Sequence, residues 1–398
     1  MADAMAIRRL AAIESAYIVR GEVSPEAIAS TLGALMPTRR HPIAHRRFTL
    51  FDTFDRRVRQ AGASVTASGV NGTSTMAWQA GRGGRLVTAR LTHAVGFAWD
   101  LPDGPLREAL GPVIGVRRLL ALADAEEYGT LLEILDDRGK TTARLRIETG
   151  RARRTLPNQS WRSLPTVITL CGLRGYEEAY ERLVPVILSR PGIEPCEDGF
   201  HGVILRQTGV PSRGDVSQPR VDLHQFVRAD VGARQIHLAL LDLLVANEAG
   251  LRANLDTEFL HDFRVALRRT RSLLRQVKEV FPAHEVDHFA TEFSWIGRLT
   301  GPLRDLDVLL LALRARRKEF DDGDLQPLTD LLSRSREEEH ARLVAALDSD
   351  RYRQLLADWK AFLDRPVSPV PEPPRAALAL ADVVSHRARR LSGRLAAC

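Results

Sequence analysis

The chain changes character near residue 210, and this change constrains the fold more than any other feature. Before that point, short β-type runs are separated by turn-forming residues. After it, apolar residues recur with a period of about 3.6, which is typical of helices. We therefore predict an α+β N-terminal domain over residues 12–205, a linker over 206–220 and an all-α helical bundle over 221–398.

The N-terminal domain is predicted to consist of antiparallel strands interrupted by two helices. Many of the strand-type runs alternate, as Ala143, Leu145 and Ile147 do, which is typical of strands with one packed face. Turn signals such as Asn71-Gly72 separate the runs. The predicted strands cover residues 16–21, 47–52, 63–68, 73–79, 86–92, 129–136 and 141–148, and the predicted helices cover 24–35 and 176–188.

The C-terminal domain is predicted to consist of helices alone. Pro302 is expected to end one helix and start the next, and Gly297 and Gly301 are expected to allow a close approach between helices. A proline-rich break over 366–374 precedes the last predicted helix. The predicted helices cover residues 229–250, 258–280, 283–300, 302–320, 325–348, 350–363 and 375–396.

Composition excludes several classes of protein. No apolar run approaches the length that spans a bilayer, and the first residues lack the apolar core of a signal peptide, so we expect neither a membrane partner nor export. The three cysteines show no metal-ligand spacing, which predicts no metal site, and any disulfide scheme leaves one of them unpaired, which favours a reducing cytoplasm. The net charge of +7 favours a polyanionic partner without identifying it.

Residues 261–278 form the most informative segment. At about 100° per residue, six basic residues fall within an arc of roughly 100° on one side of a helix. Phe263, Leu267 and Leu274 lie on the far side, which is therefore expected to pack. We call the six basic residues the basic stripe: His261, Arg264, Arg268, Arg271, Arg275 and Lys278.

Two explanations of the basic stripe are open from the sequence alone. Like charges at these helical spacings repel each other, so they reduce helix stability unless something offsets the repulsion. The stripe could be a solvated face, or it could pair with acidic neighbours such as Glu337 to Glu339. Six cationic side chains along one face favour instead a surface that binds a long polyanion.

A second charged segment lies at residues 295–308. Arg298 and Arg304 are candidates to extend the basic surface. Asp305 and Asp307 are expected to orient Arg304 or to cap a turn rather than to bind a metal, because nothing nearby completes an oxygen cage.

Three segments together, residues 244–249, 261–271 and 301–308, resemble the CHAD domain (conserved histidine α-helical domain). The resemblance covers roughly residues 221–396. It implies a helical bundle whose basic surface or pore binds inorganic polyphosphate. Such domains usually carry a second basic helix, whereas residues 386–394 are basic without matching its motif. We therefore expect an abbreviated domain or a truncated chain without a complete pore. The residues expected at the binding groove are His261, Arg264, Arg268, Arg271 and Arg275.

The N-terminal domain resembles, more weakly, the CYTH domain of the triphosphate tunnel enzymes, through residues 23–27 and 48–62. Active members carry a Glu-x-Glu-x-Lys first strand, and the corresponding positions here are Ala16, Ile18 and Arg20. Without clustered carboxylates, no divalent metal would bridge the phosphoryl oxygens. We interpret this domain as a tunnel or barrel without hydrolytic activity. Thr66 and Ser68 replace two expected arginines, and the candidates for accessory phosphate binding are Arg117, Arg118, Arg144 and Arg146, which could equally be ordinary surface arginines.

The leading hypothesis is a cytoplasmic, non-catalytic protein that binds inorganic polyphosphate, with association to polyphosphate granules as one option, and that needs no cofactor. One alternative is a metal-dependent tri- or polyphosphatase of the CYTH type, against which the missing carboxylates argue. Another is a nucleic-acid-binding protein, against which the scarcity of aromatic residues near the basic stripe argues.

Overall fold

The computed structural model describes residues 14–21, 24–70, 73–81, 86–210, 221–224, 226–277, 279–316, 319, 325–368 and 373–385. The chain divides into two compact units, residues 1–214 and residues 215–398. The point of division falls within the segment predicted as a linker, most of which lies outside the described residues.

The N-terminal unit is built on one antiparallel sheet, with the strand order β5-β4-β3-β2-β6-β7-β8-β1-β9 across its described residues. Its strands are β1 (Glu14–Val19), β2 (Thr38–Asp52), β3 (Ala63–Val70), β4 (Thr73–Ala80), β5 (Leu86–Leu91), β6 (Leu120–Leu135), β7 (Thr141–Arg154), β8 (Arg162–Gly172) and β9 (Ile193–Pro195). Its helices are α1 (Pro25–Gly33), α2 (Arg57–Gln60), α3 (Pro105–Ile114), α4 (Glu177–Leu188) and α5 (Gly199–Gln207). The predicted α+β fold is confirmed.

The period of two along β7 separates an apolar face of the sheet from a charged one. Ala143, Leu145 and Ile147 join a buried cluster with apolar residues of α1 and α4. The residues between them, including Arg144 and Arg146, line a cavity on the opposite face. Helix α5 packs on that opposite face through a second apolar cluster and leaves the charged part of it uncovered.

Some elements of this unit are not evident from the sequence pattern. Strand β8 is buried at consecutive positions such as Val167 and Ile168, so it shows a continuous apolar run rather than an alternation. Strands β2 and β6 begin well before the predicted strands at residues 47 and 129. Helices α3 and α5 and strands β8 and β9 were not predicted.

The C-terminal unit is helical, as predicted. Its helices are α6 (Ala229–Arg252), α7 (Thr257–Gln276), α8 (Ala283–Ala315), α9 (Gln326–Leu347) and α10 (Asp350–Asp364), followed by a 3-10 turn at Pro374–Ala377. Asp256 caps α7, because its side chain accepts hydrogen bonds from the backbone N–H groups of Glu258 and Phe259. Of the last predicted helix, 375–396, residues 380–385 are helical and residues 386–396 lie outside the described part of the chain.

The predicted break at Pro302 is wrong, because α8 continues through it as one helix of 33 residues. Pro302 is exposed, so the carbonyl group that loses its helical partner can bond to water. The preceding residue is Gly301, whose missing Cβ avoids the usual clash with the proline ring. The buried face of α8 therefore continues from Thr300 to Leu303 without interruption. No helix in the described part of the chain is both long and apolar enough to cross a membrane.

An aromatic cluster forms the core of the C-terminal unit. Trp359 of α10 lies 4.6 Å from Phe289 and 5.3 Å from Phe293, measured between ring centroids, and both phenylalanines belong to α8. His237 of α6 meets the Trp359 ring edge-on at 4.9 Å. Neither nitrogen of this fully buried imidazole has a hydrogen-bond partner among the described residues, and burial lowers its pKa to about 3.

His237 should make the C-terminal unit less stable in mild acid. The unfolded imidazole gains a proton below its ordinary pKa near 6.5, whereas the folded one stays neutral until a much lower pH, so stability decreases as pH falls from about 6.5 toward 3. We expect the decrease in the free energy of unfolding between pH 7 and pH 5 to be about 2 kcal/mol smaller in His237→Phe. Urea unfolding monitored by tryptophan fluorescence at both pH values measures this difference. An identical pH dependence in the two proteins would contradict the assignment.

Candidate polyanion-binding surface

Helix α7 has one buried face and one cationic face. The buried face includes Phe259, Phe263 and Leu267, none of which is more than 2% exposed. On the other face Arg268 and Arg275 are exposed. The remaining described members of the basic stripe, His261, Arg264 and Arg271, are half-buried, and Lys278 lies outside the described residues.

The described members of the basic stripe have no carboxylate partner at ion-pair distance within the described part of the chain. The candidates Glu337 to Glu339 form no ion pair with the stripe among the described residues. Glu339 instead pairs with Arg342 on its own helix. The remaining polar contacts of the stripe are to neutral oxygens, such as the Arg271 carbonyl that accepts a hydrogen bond from Arg275 Nε at 3.3 Å. This face therefore keeps its positive charge within the folded unit.

Helix α8 contributes two further arginines with different surroundings. Arg298 is exposed on α8. Arg304 is half-buried, and its Nη1 donates a hydrogen bond of 3.3 Å to the carbonyl oxygen of Thr257, the first residue of α7. Arg304 thus joins α8 to the start of the helix that carries the basic stripe.

Arg264 also reaches α8. Its Nη1 donates to Thr300 Oγ1 at 2.6 Å and lies 3.4 Å from the Gly297 carbonyl oxygen. Burial lowers the pKa of this guanidinium, and Asp305 acts in the opposite direction. An arginine remains charged at any physiological pH, so Arg264 is a cation fixed in place by neutral oxygens.

Asp307 does not orient Arg304, contrary to the sequence-based expectation. Asp307 is 1% exposed, and its Oδ1 accepts a hydrogen bond of 2.6 Å from Arg336 Nε of α9. Burial raises the pKa of this carboxyl group, against the attraction of Arg336. Asp307 thus forms a buried ion pair between α8 and α9. Among the described residues, no group of three or more His, Cys, Asp and Glu side chains is arranged to hold a metal.

The N-terminal unit contains a separate charged cavity of about 1150 Å³, lined by side chains from β1 to β8 and from α5. Three buried carboxyl groups lie on its wall, those of Asp52 at the end of β2, Glu127 of β6 and Glu148 of β7. Arg46 donates to Glu127 at 2.9 Å, and Arg146 contacts Glu127 at 3.4 Å. Arg146 also donates to Glu148 through Nε at 3.0 Å and through Nη2.

The carboxyl groups of Glu127 and Glu148 differ in acidity. Burial raises the pKa of Glu148 to about 7, against the attraction of Arg146, and the negative charge of Glu127 adds to the rise. Burial acts on Glu127 in the same direction, but Arg46 and Arg146 hold its pKa below the ordinary value. His201 of α5 lies in the same cavity, and burial lowers its pKa to about 4. The pair therefore carries close to one negative charge at mildly acidic pH.

The structure brings together some of the candidate accessory residues in this cavity. Arg144 and Arg146 both line it, and Glu133 of β6 accepts from Arg144 at 3.4 Å. The sequence pattern did not reveal Arg46 or Glu127. Both lie just outside the predicted strands, and only the register of β2 against β6, in which these two residues face each other, shows that they share a face.

Arg117, a sequence-based candidate for accessory phosphate binding, is buried and pairs with a carboxylate instead of lying at the surface. It is 1% exposed, and its Nε donates to Asp55 Oδ2 at 3.2 Å. Arg57 donates to the same oxygen at 2.8 Å, so these arginines stabilise the turn after β2. Arg118 is exposed, with its guanidinium 5.5 Å from the centroid of the Phe97 ring.

The positions that hold metal-binding residues in active tunnel enzymes have other surroundings here. Ala16 and Ile18 of β1 pack in the apolar cluster under α5. Arg20 pairs at 2.8 Å with the exposed Glu194. Of the two positions where paired arginines were expected, Thr66 is buried. None of these four residues lines the cavity.

Comparison with known proteins identifies the C-terminal unit. Residues 235–397 match the family model of the CHAD domain. The C-terminal unit contains a CHAD domain. The match covers most of α6 and all of α7 to α10, and hence all described members of the basic stripe. A search of curated proteins gave no match.

Solved structures similar to the chain include both CHAD and cyclase-like proteins. The CHAD domain of Ricinus communis is 23% identical, with a TM-score of 0.34, and the match covers 45% of this chain and 56% of that one. A candidate adenylyl cyclase from Hippeastrum, described as having a dominant triphosphatase activity, is 10% identical, with a TM-score of 0.33, over 49% of this chain and 96% of that one. A candidate adenylate cyclase from Bacillus halodurans is 15% identical, with a TM-score of 0.27, over 45% and 88%. TM-scores this low support no inference about activity.

Because burial raises the pKa of Glu148, we predict that this residue makes the free energy of unfolding depend on pH. The folded state retains the proton up to about pH 7, whereas the unfolded carboxyl loses it near pH 4.5, so stability decreases as pH rises between these values. Glu148→Gln keeps an acceptor for Arg146 and has no charge to bury. We expect its free energy of unfolding, relative to that of wild type, to be about 1–3 kcal/mol higher at pH 8 than at pH 5. Thermal or urea unfolding at the two pH values tests this, and a pH-independent difference would contradict it.

Proposed function

We propose that the protein binds long-chain inorganic polyphosphate through the basic stripe of its CHAD domain, without catalysis. The observation that carries the proposal is the charge state of α7. Its described cationic side chains lie along one exposed or half-exposed face, and none of them pairs with a carboxylate among the described residues. A polyanion would supply the missing counter-charge.

Binding would remove the repulsion within the stripe. Cationic side chains three or four residues apart destabilise a helix by about 0.2–0.5 kcal/mol per pair. A chain with a charge on every phosphate offsets several such pairs at once, and it releases the counterions that both partners hold. Arginine also suits phosphate because its planar fork donates two parallel hydrogen bonds.

The length of the stripe favours long chains over short ones. His261 and Arg275 are separated by about 21 Å along the helix axis, at 1.5 Å per residue. A long polyphosphate can contact all described members of the stripe in one binding event, so each further contact is intramolecular. Inorganic phosphate contacts one or two of these residues and gains no such advantage.

We further propose that the N-terminal unit does not hydrolyse phosphate chains. Metal-assisted phosphoryl transfer needs carboxylates that are free to bind a divalent cation. Three of the carboxyl groups that line the cavity, those of Glu127, Glu133 and Glu148, each accept hydrogen bonds from arginines instead. No phosphate release from triphosphate is therefore expected in the presence of Mg²⁺ or Mn²⁺. Release that disappears in Glu127→Gln would contradict this proposal.

A nucleic acid is a poorer ligand for this surface than polyphosphate. Single-stranded binding depends on aromatic side chains on which bases stack. Trp295 of α8 is already covered by the Arg351 guanidinium, 4.1 Å from the ring centroid. Competition between polyphosphate, duplex DNA and RNA at equal phosphate concentration is expected to favour polyphosphate.

Neutralising the stripe should abolish binding in a salt-dependent way. We expect the triple substitution Arg264→Gln, Arg268→Gln and Arg271→Gln to weaken binding of long-chain polyphosphate at least ten-fold in 0.1 M salt. The slope of log Kd against log[salt] should fall in magnitude by about 2, since about 0.7 counterions are released per contact. Isothermal titration calorimetry across a salt series measures both quantities.

The control carries the same change in charge on other faces of the unit. Arg334, Arg342 and Arg353 are exposed on α9 and α10, and substituting all three by Gln leaves the basic stripe intact. This control should keep wild-type affinity and slope. Equal losses in the two triple variants would show that net charge, rather than the basic stripe, determines binding.

A further inference from the structure

The arginines of the basic stripe fall into two classes. Arg268 and Arg275 are exposed. Arg264 and Arg271 are half-buried and lie against α8, one above the other at a separation of seven residues, or about 10 Å along the helix. Arg264 and Arg271 are less exposed because they contact α8. Residues outside the basic stripe therefore determine how exposed its arginines are.

Thr300 holds the first of the two fixed arginines. Its side chain is fully buried, and its hydroxyl donates to the Gly297 carbonyl oxygen at 2.9 Å. With its hydrogen directed there, Oγ1 presents a lone pair to Arg264 Nη1 at 2.6 Å. The hydroxyl thus has one defined orientation, and it fixes the position of the guanidinium that it contacts.

Gly297 makes room for the second fixed arginine. A Cβ atom at this position would lie 3.2 Å from Arg271 Nη1, which is closer than nearly all real Cβ contacts. The guanidinium would have to move away from α8. The absence of a side chain at Gly297 therefore lets the Arg271 guanidinium approach α8 closely.

We propose that Thr300 and Gly297 are positioning residues for the polyanion site, which hold Arg264 and Arg271 in the arrangement that contacts the ligand. The proposal rests on the proposed function. Ordering a long side chain on binding costs about 0.5–1.5 kcal/mol. An arginine that is already held in place avoids that cost, so α8 contributes to affinity without supplying a charge.

Single substitutions within the stripe should therefore differ although each removes one charge. We expect Arg264→Ala and Arg271→Ala to weaken polyphosphate binding about three- to ten-fold more than Arg268→Ala and Arg275→Ala. All four variants should lower the magnitude of the salt slope by a similar amount, because each removes one phosphate contact.

Thr300→Val tests positioning without changing any charge. It is close in shape to threonine and lacks the oxygen that Arg264 contacts. We expect about three- to ten-fold weaker binding of long-chain polyphosphate with an unchanged salt slope, and recovery of wild-type affinity in Thr300→Ser, which keeps the oxygen. Thr270→Val is the matched control, because Thr270 is a buried threonine of α7 and makes no hydrogen bond to a stripe arginine among the described residues.

Gly297→Ala provides an independent test that a loss of stability cannot explain. Alanine is the better helix former by about 1 kcal/mol, so the melting temperature should stay the same or rise. Binding should nevertheless weaken about two- to five-fold, since the added Cβ would displace the Arg271 guanidinium by a few tenths of an ångström from its place against α8.

The outcomes separate this inference from the proposed function. If wild-type protein does not bind polyphosphate, the proposed function fails. If wild type binds and both Thr300→Val and Gly297→Ala bind equally well, the stripe is a binding site but Thr300 and Gly297 do not position it. The inference is supported if Gly297→Ala binds more weakly at an undiminished melting temperature and if Thr300→Ser, unlike Thr300→Val, binds as tightly as wild type.

Discussion

The packing of α7 through its apolar face is the interaction on which the C-terminal unit depends. Phe259, Phe263 and Leu267 are almost completely buried. Burying side chains of this size stabilises a protein by about 1.5–3 kcal/mol each, whereas repulsion between neighbouring cations costs about 0.2–0.5 kcal/mol per pair. The apolar face therefore outweighs the repulsion on the opposite face, and a helix with unpaired cations can stay folded without a ligand.

The two units use arginine in different ways. In the cavity of the N-terminal unit, Arg46 and Arg146 both pair with the buried Glu127 on a neighbouring strand, so the charges are compensated within the fold. In the C-terminal unit, the buried pair of Arg336 with Asp307 also compensates itself and joins two helices. The arginines of the basic stripe contact neutral oxygens or solvent instead. Compensation by carboxylates thus distinguishes the arginines that stabilise the fold from those that could bind an anion.

Periodicity in the sequence was sufficient to predict the class of both units and the basic stripe. A helix of known pitch fixes which residues share a face, so His261 to Arg275 could be placed together without any knowledge of their neighbours. Contacts between elements could not be placed in this way. The pairing of Asp307 with Arg336 and the burial of Arg117 depend on which helices and turns meet.

Two features of α8 show why local rules also have limits. A proline usually marks the end of a helix, but Pro302 does not. Gly301 lacks the Cβ that would clash with the proline ring, and Pro302 lies on the exposed face of α8, where the carbonyl that loses its partner can bond to water. Thr300 carries no signal in the sequence, since a threonine within a helix has many roles. Its contact with Arg264 depends on the packing of α8 against α7, which the sequence pattern does not show.

Hydrogen exchange of the α7 backbone, with and without long-chain polyphosphate, tests the central claim most directly. Opening of α7 is favoured by repulsion among its unpaired cations, so a bound polyanion should slow it. The account predicts slower exchange at residues 261–275 with polyphosphate, and no change with inorganic phosphate at the same phosphorus concentration. Unchanged exchange in α7, or protection confined to the strands of the N-terminal unit, would contradict it.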